Sequence, residues 1–142
     1  MQISVYAASG YAISILSGRL SFMLGLTGPN FPVDTACSAT LAALHCTASA
    51  TRLGECERAS VCGLGILEAL GSLGIAAAGM TSPRGRCHTF DSRADGFTRA
   101  EGAGAFILET RDTEIDKLCH MLGSSVQQDG PSASLTAPNG SS

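Results

Sequence analysis

The spacing of apolar residues changes several times along the chain, and each change marks an element. From about Ser38 to Arg52 they recur at Leu41, Leu44 and Ala48. That i, i+3, i+7 spacing predicts one face of a helix, with Gly54 as its stop. Ala59 to Gly63 is a compact apolar run without that period and predicts a buried strand. A second helical stripe follows at Ile66, Leu70, Leu73 and Ala77, with Glu68 off it. Ala103 to Leu108 predicts another strand, and Lys117 to Val126 a further one. Ahead of these, Tyr11 to Leu24 predicts a helix and Phe31 to Thr35 a short strand after the turn Gly28-Pro29-Asn30. Thr81 to Gly102 is a long polar loop holding four arginines. Strands alternating with helices predict a layered α/β fold.

Composition narrows the picture. A chain of 142 residues, 44% hydrophobic, is long enough for one core. Seventeen glycines with only 5% aromatic residues favour close helix–sheet packing. The formal charge of −3 supplies no basic field, which argues against a nucleic-acid partner. The six cysteines contain no CxxC pair, and Cys46, Cys62 and Cys119 sit in apolar stretches as small hydrophobes do. That usage predicts a reducing, cytoplasmic setting. Cys87-His88 and Cys119-His120 lack the paired local spacings of a zinc site. The amino terminus has no cationic segment before its apolar part and does not read as a signal peptide. Gly63 to Met80 carries Glu68 and five glycines, which suits a buried element better than a membrane span. The polar, Ser/Pro/Gly-rich carboxyl end reads as a cut through a longer domain.

One position raises chemistry. In VDTACSATLAAL, Val33 to Leu44, a β-branched run turns into small helix-compatible residues at Cys37. A thiol at a helix start faces backbone N–H groups that lack intrahelical acceptors, and the helix dipole adds positive potential there. Both favour a thiolate, and the same N–H groups can stabilise an oxyanion on an attacked thioester carbonyl. Small neighbours, Ala36, Ser38 and Ala39, leave room for an acyl group. A buried inert cysteine fits the position equally well.

No histidine completes a pair with it. His45 lies eight residues along the same helix, roughly 12 Å up the axis, and reads as a structural residue. His88 falls in the arginine-rich loop, where exposure is expected, and His120 reads as a strand residue. A cysteine hydrolase of the papain type, which needs such a histidine nearby, therefore has little support.

Four blocks in order carry a resemblance: DTACSATLAAL, GECERASVCGLG, MTSPRGRCHTFDSRADGFTRAEGAGAFILE and QQDGPSASLTAPNG. From about Ser9 to Asn139 the chain resembles the middle of a β-ketoacyl synthase, the ketosynthase domain of a polyketide synthase in particular. The resemblance implies a thiolase-like layered αβαβα fold, incomplete here, with residues 1–142 as a central piece of one domain truncated at both ends. It implies an acyltransferase performing decarboxylative Claisen condensation in polyketide or fatty-acid biosynthesis. Cys37 would take an acyl group from acyl carrier protein. The carbanion from a malonyl-type extender would then attack that thioester. No metal or bound cofactor is implied, since both substrates ride on carrier phosphopantetheine. The complete domain would be a homodimer. The family's catalytic histidines, its lysine and a second oxyanion donor belong to motifs after the TAPN block, beyond Ser142, so no catalytic role passes to His45, His88 or His120. The chain alone is accordingly expected to be inactive, with at most trace acylation and no condensation product. A non-catalytic remnant or subunit-interaction piece is the competing reading, and a stop codon directly after Ser142 would favour it.

The remaining motif residues read as structural. Asp91, Asp95, Arg99 and Glu101 are expected to form one polar network shaping the loop. Asp34 is expected to stabilise the bend before Cys37 rather than to act as a base, because side chains alternate along an extended segment. Thr136, in LTAPN, is near the family's pantetheine entrance and is the one expected substrate contact. Two departures stand out: Ala39 where a second serine is usual, and Ala100 in place of the glycine of RGEG. The second costs stability only if φ is positive there.

Overall fold

The computed structural model describes residues 4–110, 118–134, 137, 139 and 140, with the backbone alone at residues 8 and 11. Four α-helices are present among them: α1 (Ala7–Tyr11), α2 (Ile13–Leu24), α3 (Ala39–Arg52) and α4 (Ala69–Ala77). Strands β1 (Arg58–Gly65) and β2 (Gly102–Glu109) pair in a two-stranded sheet. They run antiparallel, since Arg58 meets Glu109 at one end while Gly65 lies beside Gly102 at the other. None of the helices is long and apolar enough to cross a membrane.

The described residues divide into two compact units, one reaching Val61 and resuming at Ile107, the other Cys62–Phe106. In the first unit, α3 forms from an alanine-rich run in which Ala48 and Thr51 are buried. The Thr51 hydroxyl donates to the carbonyls of Thr47 and Ala48, which keeps a buried polar group satisfied. Gly54 ends the helix as the pattern predicts. At φ +76° it adopts the left-handed conformation, while Glu55 N–H reaches back to the Ala50 carbonyl. The same pair of features closes α2 at Gly25 and, in the second unit, α4 at Gly79.

Four expectations are corrected. The first helix is two, because Ala12 adopts an extended conformation with no capping side chain, and α2 begins at Ile13. Phe31–Thr35 is not a strand; its β-branched residues favour extension, but a strand also requires a hydrogen-bonded neighbour. Residues 118–126 contain no strand either, and Lys117 lies outside the described residues. The expected core is largely uncovered. Ala48 and Val61 are the buried hydrophobic residues among those described, while Leu41, Ile66, Leu70 and Leu73 are exposed. The segment Gly63–Met80 is thus apolar without being buried. Cys62 and Cys119, expected inside, are also exposed. Periodicity shows that a face is apolar, and burial further depends on what covers it.

In the second unit, the loop after α4 is folded by a parallel bridge between Thr81 and Phe97. Ser82 N–H donates to the Phe97 carbonyl at 3.0 Å, and Phe97 N–H to the Met80 carbonyl at 3.1 Å. Gly96 passes so close to this crossing that an added Cβ would stand 2.5 Å from Ser82 N and from the Thr81 carbonyl carbon.

Candidate active site: the elbow at Cys37

The chain reaches Cys37 from α2 through an anchored segment. Asn30 Nδ2 donates to the Ser17 carbonyl at 3.2 Å and to Ser21 Oγ at 2.7 Å, fastening the turn after Gly28-Pro29 to that helix. Five residues later the backbone bends sharply. Thr35 has φ −125°, and Ala36 has φ +54°, the one positive φ found at a non-glycine position among the described residues. A left-handed alanine costs about 1–2 kcal/mol. Asp34 Oδ1 accepts the Ala36 N–H at 3.0 Å, and a hydrogen bond of this kind contributes about 1 kcal/mol, which offsets much of that cost. The expected bracing role of Asp34 is therefore visible as a bond.

A second brace spans the thiol. The Thr35 carbonyl accepts both Ser38 N–H at 3.3 Å and Ser38 Oγ–H at 2.8 Å. With that hydroxyl proton committed, the 2.8 Å contact between the two hydroxyls leaves Thr35 Oγ1 as donor to Ser38 Oγ. Cys37 sits within the second brace, in a one-turn 3-10 helix, Ala36–Ser38, that leads directly into α3. Cys37 is exposed rather than buried, as are Cys62, Cys87 and Cys119. Ser38 turns its hydroxyl back to Thr35, and no side chain caps α3. The Ala39 N–H at the start of α3 donates to the Ala36 carbonyl, so the 3-10 turn, rather than a capping side chain, begins the helix beside Cys37.

The other expected positions lie elsewhere. His45 Nδ1 is 2.9 Å from Ser124 Oγ, a tether from α3 to the carboxyl-terminal segment, and half-buried. His88 is half-buried rather than exposed, with Nδ1 3.9 Å from Asp91 Oδ2. His120 is exposed and outside any strand. Thr136 lies outside the described residues. Sequence reasoning missed Asn30 and the Thr35–Ser38 pair. The asparagine after Gly-Pro was the available signal, whereas nothing in an alanine announces a positive φ.

The loop residues do not form one network. Asp91 accepts from Arg93 Nη2, Nε and backbone N–H, and these contacts hold its carboxyl below the usual range and raise the Arg93 guanidinium. Asp95 is lowered first by the Ser82 hydroxyl at 2.6 Å and then by Arg84 Nε at 2.8 Å. Arg84 joins the two groups through the Arg93 carbonyl. Arg99 and Glu101 act separately. Arg99 Nη1 donates to Ser72 Oγ in α4 at 2.7 Å, and Glu101 Oε1 accepts Leu67 N–H at 2.9 Å ahead of that helix. Ala100 has no positive φ, so the alanine there is not strained.

Comparison with known proteins decides the family. Residues 1–114 match the family described as "Beta-ketoacyl synthase, N-terminal domain". The chain belongs to the β-ketoacyl synthase family. This ketosynthase chain is 44% identical over 143 aligned residues to one phenolphthiocerol/phthiocerol polyketide synthase polypeptide of Mycobacterium tuberculosis, covering 96% of the chain and 9% of that protein. It is 39% identical to another polypeptide of the same synthase from that species, covering 99% of the chain and 7% of the relative. Among solved structures, the ketosynthase from module 6 of the Bacillus subtilis bacillaene synthase superposes with a TM-score of 0.82 at 35% identity. That match covers 98% of this chain and 26% of the solved one. The chain therefore carries part of the thiolase-like α/β fold, and it spans about a tenth of the length of the curated relatives it matches.

Proposed function

We propose that this chain supplies the acyl-accepting part of a polyketide β-ketoacyl synthase, an acyltransferase that condenses carrier-bound thioesters by decarboxylative Claisen chemistry. The observation that supports it best is the exposed Cys37 thiol on a doubly braced bend ahead of α3, inside a ketosynthase sequence. The Cys37 sulfur attacks the acyl carbonyl, and the oxyanion that forms is stabilised by N–H groups at the helix start. Collapse of this intermediate expels the carrier's pantetheine sulfur, which takes up the proton released by Cys37. The acyl group is left on Sγ. Condensation with a malonyl-type unit also requires groups that stabilise charge as carbon dioxide leaves. His45, engaged with Ser124, is not assigned that task. Acyl carrier protein is the proposed partner, phosphopantetheine arrives with it, and Thr136 stays a candidate contact for that arm.

The test is acylation of the chain by an acyl-loaded carrier protein, followed by peptide mapping. The acyl group is expected on Cys37 and is expected to disappear in Cys37→Ala. Acylation centred on Cys46, Cys62, Cys87 or Cys119 would overturn the proposal, as would a chain that accepts no acyl group.

A further inference from the structure

The bend that presents Cys37 is intrinsically unfavourable for the residue that makes it, and one side chain compensates. Ala36 would ordinarily avoid φ +54°, and in the bend that it makes, Asp34 Oδ1 receives its N–H at 3.0 Å. The other brace, from Thr35 to Ser38, closes over Cys37 but leaves the Ala36 N–H to Asp34. Asp34 is itself exposed, three positions before the thiol, and its bond acts on backbone rather than on sulfur. We infer that Asp34 is a positioning residue for acyl transfer to Cys37, acting by holding Ala36 left-handed. This rests on the reading of Cys37 as acyl acceptor and adds to it the residue that sets the direction of the thiol. It requires an acceptor atom at position 34, not a charge, and it makes the dependence on Asp34 conditional on position 36. Glycine adopts positive φ without steric cost and would need no brace.

The experiment uses the 142-residue chain with acetyl-N-acetylcysteamine as the acyl donor. The Sγ–acyl bond forms as the donor's C–S bond breaks, and N-acetylcysteamine leaves with the thiol proton. The rate is read by mass spectrometry of the Cys37 peptide, and the Ala36 Cα and Cβ chemical shifts report its backbone conformation. Asp34→Asn, which keeps an Oδ1 acceptor, is expected to react within about twofold of the parent, and Asp34→Ala about tenfold or more slowly. In Asp34→Ala the Ala36 shifts should leave the left-handed range. Adding Ala36→Gly to Asp34→Ala should recover the rate to within about threefold of the parent. A general loss of structure would not produce that recovery. Parent-like acylation in Asp34→Ala overturns the inference, as does Asp34→Asn falling with Asp34→Ala, or no recovery with glycine. Failure of the parent chain to become acylated at Cys37 overturns the reading beneath it, and this inference with it.

Discussion

Replacing Gly96 by alanine should open the loop that follows α4. At φ +132°, Gly96 already has a conformation that other residues rarely adopt, and strain of that kind costs about 1–3 kcal/mol. The new Cβ would also stand 2.5 Å from Ser82 N and the Thr81 carbonyl carbon, and 2.9 Å from the Met80 oxygen. Ordinary carbon contacts are about 3.5–4.0 Å, so backbone must retreat by about 1 Å, and no flexible side chain is there to yield instead. Overpacking of that sort adds about 1–3 kcal/mol. Against this total stand the two backbone hydrogen bonds of the Thr81–Phe97 bridge, each contributing about 1 kcal/mol net. The clash exceeds the bonds, so the bridge should part. Amide exchange at Ser82 and Phe97 measures this directly, with about a tenfold or greater acceleration expected. Trypsin cleavage after Arg84, Arg86 and Arg93 should accelerate in step. Gly85→Ala is the control, because Gly85 also has positive φ, +63°, but open space around its Cβ position. That variant carries about 1–2 kcal/mol of left-handed strain but no clash, so it should accelerate exchange less than Gly96→Ala does. Parent-like exchange in Gly96→Ala would refute the reasoning.

The same loop should loosen in acid. Asp91 and Asp95 are both lowered in the folded chain, so their contribution is complete above the unfolded carboxylate value of about 3.9 and is lost as pH falls through the folded values. Carboxyl-carbon NMR should place both midpoints below about 3.9, with the Ser82 and Phe97 amides shifting as Asp95 protonates; midpoints at or above that value would contradict the Arg93, Ser82 and Arg84 contacts. At the sheet end, Arg58 Nη2 lies 3.0 Å from Glu109 Oε1, with 62% of the arginine side chain exposed. Arg58→Gln should therefore change local stability by only about 0.5 kcal/mol, read as amide exchange in β1 and β2, and a tenfold acceleration would show that solvent screens the pair less than its exposure implies.

Local elements were legible where local pattern determines them. The helix predicted from Ser38 to Arg52 is α3, and the strands predicted around Ala59–Gly63 and Ala103–Leu108 are β1 and β2, each slightly longer. Gly54 marked a true stop because a left-handed terminus selects glycine. The family, too, was legible, in four blocks of motif residues. What depended on distant partners was not. Phe31–Thr35 has the composition of a strand and no pairing among the described residues. Leu70 and Leu73 form the predicted stripe and remain exposed. His45 and Ser124 meet across 79 positions, a contact no local rule anticipates. At the site, the helix start just after Cys37 and the bracing by Asp34 were foreseen, whereas the left-handed Ala36 was not, because alanine occupies that conformation only when its surroundings impose it.

The exposed apolar faces also govern how the chain responds to heat. Phe22 and Met23 on α2, Leu70 on α4 and Ile107 on β2 are already in contact with water while folded. The heat-capacity increment of unfolding arises from newly hydrated apolar surface, about 12–15 cal/mol/K per residue in compact domains. Here much of that hydration precedes unfolding. The increment should fall below that range and the stability curve should be correspondingly flat. Backbone hydrogen bonds, glycine-terminated helices and the bonds around Cys37, Ser82 and Asp95 should then carry a larger share of the folded state than they do in a domain with a covered core.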